Sequence, residues 1–141
     1  MREDTLFTTE QVLVFLMLTM AAADGPLNDT ETARIARLVA VLPVFENLPD
    51  NQIPDIIDHF AALMSDEAGL DTLMELVTES VPPALYETAY ALAVEVAAAD
   101  YDVQPEELRL LELIRDTLKL EKLVTAAIER GARARFTQIP D

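Results

Sequence analysis

The stretch MAAADGPLNDTE, beginning at Met20, returns as VAAADYDVQPEE, beginning at Val96. A chain that writes one short pattern twice is built from two copies of one supersecondary unit, which narrows its possible folds sharply. With Asp24 laid on Asp100, Leu16 falls on Leu92, and Ala21, Ala22 and Ala23 fall on Ala97, Ala98 and Ala99. Further along, Leu27 meets Val103, Glu31 meets Glu107, and Ile35 and Leu38 meet Leu111 and Ile114. Each copy reads as an apolar helix that runs into alanines, turns at an aspartate and restarts as a second helix. The alanines let the paired helices approach closely near the turn.

The rest of the chain follows the same period. Apolar residues recur at helical spacing, and no stretch alternates in the manner of a strand. The spacing predicts seven helices, over about 9–23, 29–42, 50–68, 70–80, 83–99, 105–118 and 121–135. The first is apolar on nearly every side, as a helix surrounded by others should be, and is the expected central pillar. The second turns Ile35, Leu38, Val39 and Leu42 inward and is stopped by Pro43. The third carries Ile53, Ile56, Ile57, Phe60 and Met64 on one face, with Gly69 placed to end it. The fourth uses Leu73, Met74 and Val77, the sixth Leu111, Ile114 and Leu118, and the seventh Leu123, Val124, Ala127 and Ile128. Pro83 suits the first turn of the fifth helix, and the last residues, FTQIPD, read as a frayed end. The expected fold is all-α, a bundle of about seven helices with two pseudo-symmetric helix-turn-helix halves, forming a single domain over residues 1–141.

Composition removes most chemistries. There is no cysteine and one histidine, His59, so thiolate and nitrogen-rich metal sites are excluded and any metal must be held by oxygen. His59 itself reads as a partly exposed surface residue. Glycine occurs only at 25, 69 and 131, too few and too scattered for a phosphate-cradling loop. Ser65 and Ser80 lack a nucleophile setting, and the residue three before His59 is Ile56, not the glutamate that a di-iron bundle needs. Catalysis is not expected. Residues 12–23 are almost wholly apolar, but a spanning helix needs about twenty such residues, and the start MREDTLFTTEQ lacks the cationic opening of a secretory signal. The reading is a cytoplasmic protein.

The net charge of −16 argues against non-specific nucleic-acid binding. Residues 38–108 contain no lysine or arginine against fifteen aspartates and glutamates, whereas residues 109–135 hold seven cations. The plain reading is a solvated acidic face and a basic last helix favoured by the macrodipole. The sharper one is a molecule with two electrical sides.

The doubled turns carry the chemistry. Asp24 is expected at the carboxyl end of the first helix, where the macrodipole disfavours an anion. Gly25 is placed to supply a left-handed helix ending, and Pro26 prevents resumption. Asn28 is a good N-cap with Glu31 three residues on, so the pair can form a capping box. Alternatively Asp24, Glu31 and unpaired carbonyls at the helix end converge on one hard cation: calcium, magnesium or manganese. The second turn offers Asp100, Asp102 and Glu107. The spacing is not that of an EF-hand loop, which needs ligands spread over twelve positions with a glycine at the sixth.

The segments AAADGPLNDTE and AAADYDVQPEE, each followed by a leucine-rich helix, resemble the TerB family of tellurite-resistance proteins over nearly the whole chain, about 9–135. The resemblance implies a helical bundle with two pseudo-symmetric halves, and metal-site positions at Asp24 and Glu31 and at Asp100 and Glu107. Asp102 is added on chemical grounds. It also implies a part in resistance to tellurite and related stresses, alongside TerD-like calcium-binding partners and a membrane-associated component, with a place at the inner membrane face. Two departures stand out: Tyr101 replaces a glycine after the second aspartate, and Lys119 stands between Leu118 and Leu120 where the family tends to have glycine. The alternative function is a metal-free interaction scaffold that docks a protein partner or a membrane surface.

Overall fold

The computed structural model describes residues 7–99 and 103–141. Among these residues it is all-helical, with seven α-helices and no strand: α1 (Thr9–Ala21), α2 (Asp29–Val41), α3 (Ile53–Met64), α4 (Gly69–Ser80), α5 (Tyr86–Ala98), α6 (Pro105–Leu118) and α7 (Lys122–Phe136). Single 3-10 turns precede α3 and α5, where Asp50–Gln52 and Pro83–Leu85 wind tightly before the α-helix proper begins. The seven expected helices are all present. Their ends differ by one to four residues in most cases.

α1 is the pillar of the core. Every residue from Val12 to Ala21 is buried, and the helix packs against α2, α3, α4 and α5. With neighbours on every side it has no polar face to keep, which explains its unbroken apolar sequence. A capping box starts it: the Thr8 amide donates to Gln11 Oε1 at 2.8 Å and the Gln11 amide to Thr8 Oγ1 at 3.2 Å. Thr9 Oγ1 donates to the Ser80 carbonyl at 2.6 Å, joining the beginning of α1 to the end of α4. The buried Thr19 hydroxyl bonds back to the Phe15 carbonyl at 2.8 Å, so it adds no unpaired group to the core. α5, the counterpart of α1, packs on α1, α6 and α7, and places Ala89, Ala93 and Ala97 in the interior.

Three local expectations are corrected. Gly69 does not end α3; it is the first residue of α4, and a Cβ there would lie 2.4 Å from the Leu63 carbonyl oxygen. Its role is steric, because only a residue without a side chain lets the start of α4 lie against the backbone at the end of α3. Gly25 has φ of 159°, a positive value that side-chain-bearing residues rarely adopt, but this is not the left-handed helical conformation. In α7 the inward face is only partly the expected one: Ile128 packs against the core and Val124 is half-buried, but Leu123 is 83 % exposed and Ala127 is also exposed, while Thr125 and Ala132 are buried. α7 packs chiefly on α5, and the small residues at 125 and 132 together with the bond that the Tyr90 hydroxyl donates to Glu129 set its rotation. A hydrophobicity count weighs Leu123 above Thr125 and therefore rotates the helix part of a turn away from its true inward face, which still includes Ile128.

The departure at Lys119 resolves in geometry. Lys119 has φ 54° and ψ 43°, the left-handed conformation, and closes α6 with a Schellman pair of bonds. The Leu120 amide donates to the Arg115 carbonyl at 3.2 Å and the Lys119 amide to that of Asp116 at 3.3 Å. The helix ending that glycine would make easily is thus made here by a lysine, at a steric cost of about 1–2 kcal/mol.

Candidate metal centre

The first turn is built by the end of α1 and the start of α2. α1 stops at Ala21, and residues 22–24 form a turn outside the helix. Asp24 therefore lies past the last helical residue and is exposed to solvent, where the dipole acts on it less than at the helix end proper. The carbonyls expected to be unpaired are partly engaged: the amides of Ala22, Ala23 and Gly25 donate to the carbonyls of Leu18, Met20 and Ala22 at 2.9, 3.3 and 3.4 Å. The longer two are weak bonds, and each carbonyl oxygen carries two lone pairs.

Glu31 makes the capping box that the sequence allowed. Asn28 Oδ1 accepts from the Glu31 amide at 2.8 Å, and Glu31 Oε1 accepts from the Asn28 amide at 3.3 Å. This satisfies two of the helix's otherwise orphaned donors and places a carboxylate at the positive end of α2. Asp24 and Glu31 thus stand at the two ends of one short turn.

The second turn repeats the arrangement with a different depth. Gln104 occupies the N-cap of α6, and its amide donates to Glu107 Oε1 at 2.9 Å. Glu107 is the third helical residue, as Glu31 is in α2, but it is only 2 % exposed. Asp100 and Asp102, the other two carboxylates expected here, lie outside the described residues, as does Tyr101. Among the described residues no three histidine, aspartate or glutamate side chains gather in a metal-holding arrangement. A cation at the first turn would therefore rely on Asp24 and Glu31 supplemented by backbone carbonyls and water, the donors a hard ion accepts.

A polar cluster near the second half was not foreseen from sequence. Tyr90 is fully buried on α5, and its hydroxyl donates to Glu129 Oε2 of α7 in a short hydrogen bond. Arg115 of α6 donates through one Nη to both Tyr90 Oη and Glu129 Oε2, at 3.1 Å each. Burial, reinforced by the bond to the Glu129 carboxylate, pushes the Tyr90 hydroxyl up to about 12. The cluster ties three helices together through one phenol and one ion pair. The internal repeat held the signal for it: in the same register Tyr90 falls on Val14 and Arg115 on Val39, both buried apolar residues of the first half. Polar groups at positions where the other copy is apolar mark a place where a partner must satisfy them. That partner is Glu129.

No described helix is long and apolar enough to cross a membrane. No curated protein and no solved structure matches the chain. The family model described as tellurite resistance protein TerB matches residues 10–130, from the start of α1 into α7 and through both turns. With most of its length covered in this way, the chain belongs to the TerB family.

Proposed function

We propose that the protein is a non-catalytic, acidic helical module that binds divalent cations at its turns and acts through protein partners in a tellurite- or stress-resistance system. The observation that carries this reading is the doubled placement of a carboxylate. Glu31 and Glu107 occupy the same position in two equivalent helices, each reaching back to the N-cap amide. Asp24 and Asp100 precede them at the same distance in sequence. Capping and cation binding are compatible, since a carboxylate has about four lone-pair sites. In a chain without cysteine the ion is a hard one, and calcium, magnesium and manganese are the candidates. Family membership supports the resistance role, and TerD-like or membrane-associated partners follow from the resemblance alone.

A second reading has its own observation: the capping boxes explain Glu31 and Glu107 without any ion, as expected of a metal-free scaffold. Calorimetric titration of chelator-treated protein with each of the three cations separates the two. Binding heat in the wild type that disappears in an Asp24→Ala, Asp100→Ala double variant supports the cation module, and equal heats overturn it. A thermal melt adds an independent check, because a ligand at about a hundred times its dissociation constant stabilises by about 2.7 kcal/mol. The cation reading expects the melting temperature to fall on chelation; the scaffold reading expects no change.

A further inference from the structure

α6 and α7 both pack on α5 and leave a groove of about 730 Å³ between them. Its floor is apolar, made by Val94, Ala97 and Ala98 of α5. One wall is α6, where Leu108 stands 57 % exposed, with Val103 beside it at 36 %. The other wall is α7, where the exposed guanidinium groups of Arg130 and Arg133 lie one helical turn apart. The Arg115–Glu129 pair bridges the two walls, so the groove has a fixed base.

We infer that this groove is the docking site for an amphipathic helix of a partner protein, one that carries apolar anchors on one face and acidic residues along one flank. The apolar floor and the Leu108 wall suit anchors spaced at i, i+3, i+4 and i+7. Charge selects the flank. The chain carries a net charge of −16 and has no cation between residues 38 and 108, so Arg130 and Arg133 belong to the one strongly basic stretch that an acidic ligand can approach. A second copy of this chain does not supply such a helix, because the apolar faces of its acidic α3 and α4 are turned into its own core. An anionic bilayer is disfavoured by the overall negative charge, which opposes approach of an extended anionic surface while leaving a narrow helix free to meet the arginines alone. The groove lies apart from the capped first turn, but Ala98, Val103 and Leu108 place its edge against the second, so the test is run in a chelator to keep this inference separable from cation binding.

The test uses the full chain in the presence of a chelator and a synthetic amphipathic helix with leucine anchors and a glutamate flank. A second peptide has lysines in place of the glutamates. Titration into isotopically labelled protein should shift amide signals around Leu108, Ala97 and Arg133. The lysine peptide should bind weaker by about tenfold or more, as like-charge juxtaposition at an interface demands. An Arg130→Glu, Arg133→Glu double variant should lose the glutamate peptide by a similar factor and gain the lysine peptide. That gain shows that the variant is folded. Leu108→Ser should weaken both peptides, whereas Arg37→Glu on α2 should weaken neither. Equal affinity for the two peptides, signal shifts confined to other helices, or binding to phosphatidylglycerol vesicles in preference to the glutamate peptide would each overturn the inference.

Discussion

The two helix-turn-helix halves, α1 with α2 and α5 with α6, descend from one sequence pattern but are finished differently. In the first half Val14 and Val39 are buried among apolar neighbours. In the second, Tyr90 and Arg115 occupy the same register and are joined to Glu129 of α7. The first half is enclosed by α3 and α4, whose apolar stripes complete an oily interior. The second is closed by a more polar α7, which buries Thr125 and Ala132, packs Ile128 against the core and presents Glu129 to Tyr90 from a partly exposed position. A repeated scaffold thus tolerates different interior chemistry in each copy, provided the element that covers it supplies matching partners.

The sharpest way to break this comparison is to remove equivalent core residues. Leu16→Ala should cost about 2–5 kcal/mol, with Leu92→Ala toward the lower end of that range. Leu16 is wholly enclosed, whereas Leu92 borders a surface groove that it shares with Leu38 and Leu42, so its cavity can open to solvent or collapse. Urea midpoints compare the two; equal losses would mean that both pillars are equally enclosed.

The polar cluster gives the next largest effect. Tyr90→Phe removes a donor to a charged acceptor and should destabilise by about 1.5–3 kcal/mol. It should also change the alkaline limb of the stability profile. The Tyr90 hydroxyl ionises near 12 in the folded protein against an ordinary value of 10.0, so the unfolded chain loses its proton first. Stability from this group is therefore complete below pH 10 and falls as pH rises toward 12. Urea unfolding across that interval should show a steeper decline in the wild type than in Tyr90→Phe. Identical slopes would separate Tyr90 from the alkaline transition.

The smallest predicted effect concerns how the halves end. α2 passes into extended backbone at Leu42 and is stopped by Pro43, whereas α6 ends in the left-handed Lys119. Lys119→Gly should raise stability by about 1 kcal/mol, since glycine adopts that conformation without steric cost but loses more chain entropy on folding. A rise in melting temperature checks the assignment, and a fall would mean that the Lys119 side chain contributes more than its backbone strain removes.

Much of this was legible in the sequence, for a local reason. Helix periods, the Asn28–Glu31 capping box and the break at Pro43 depend on residues within a few positions of one another, and all appear as expected. The misreadings share a cause as well. Gly69 looked like a helix terminator because glycine often is one; its role is set by the Leu63 carbonyl across the turn. Leu123 looked like core because it is leucine, yet α7 turns Thr125 and Ala132 inward to meet α5. For the candidate metal centre, the sequence identified Asp24, Glu31 and Glu107 as carboxylates bracketing equivalent turns. It did not reveal that Glu107 is buried while Glu31 is partly exposed, because burial depends on which helices cover each turn.

The sequence by itself determined the helical class, the doubled unit and the approximate extent of each helix, because these follow from backbone preferences and short-range apolar spacing. Only the tertiary structure decided the rotation of α7, the meeting of Tyr90 with Arg115 and Glu129, and the groove flanked by Arg130 and Arg133. Those features join residues that are distant along the chain, and their energies exist only once the packed helices bring apolar surfaces and polar partners within a few ångströms of each other.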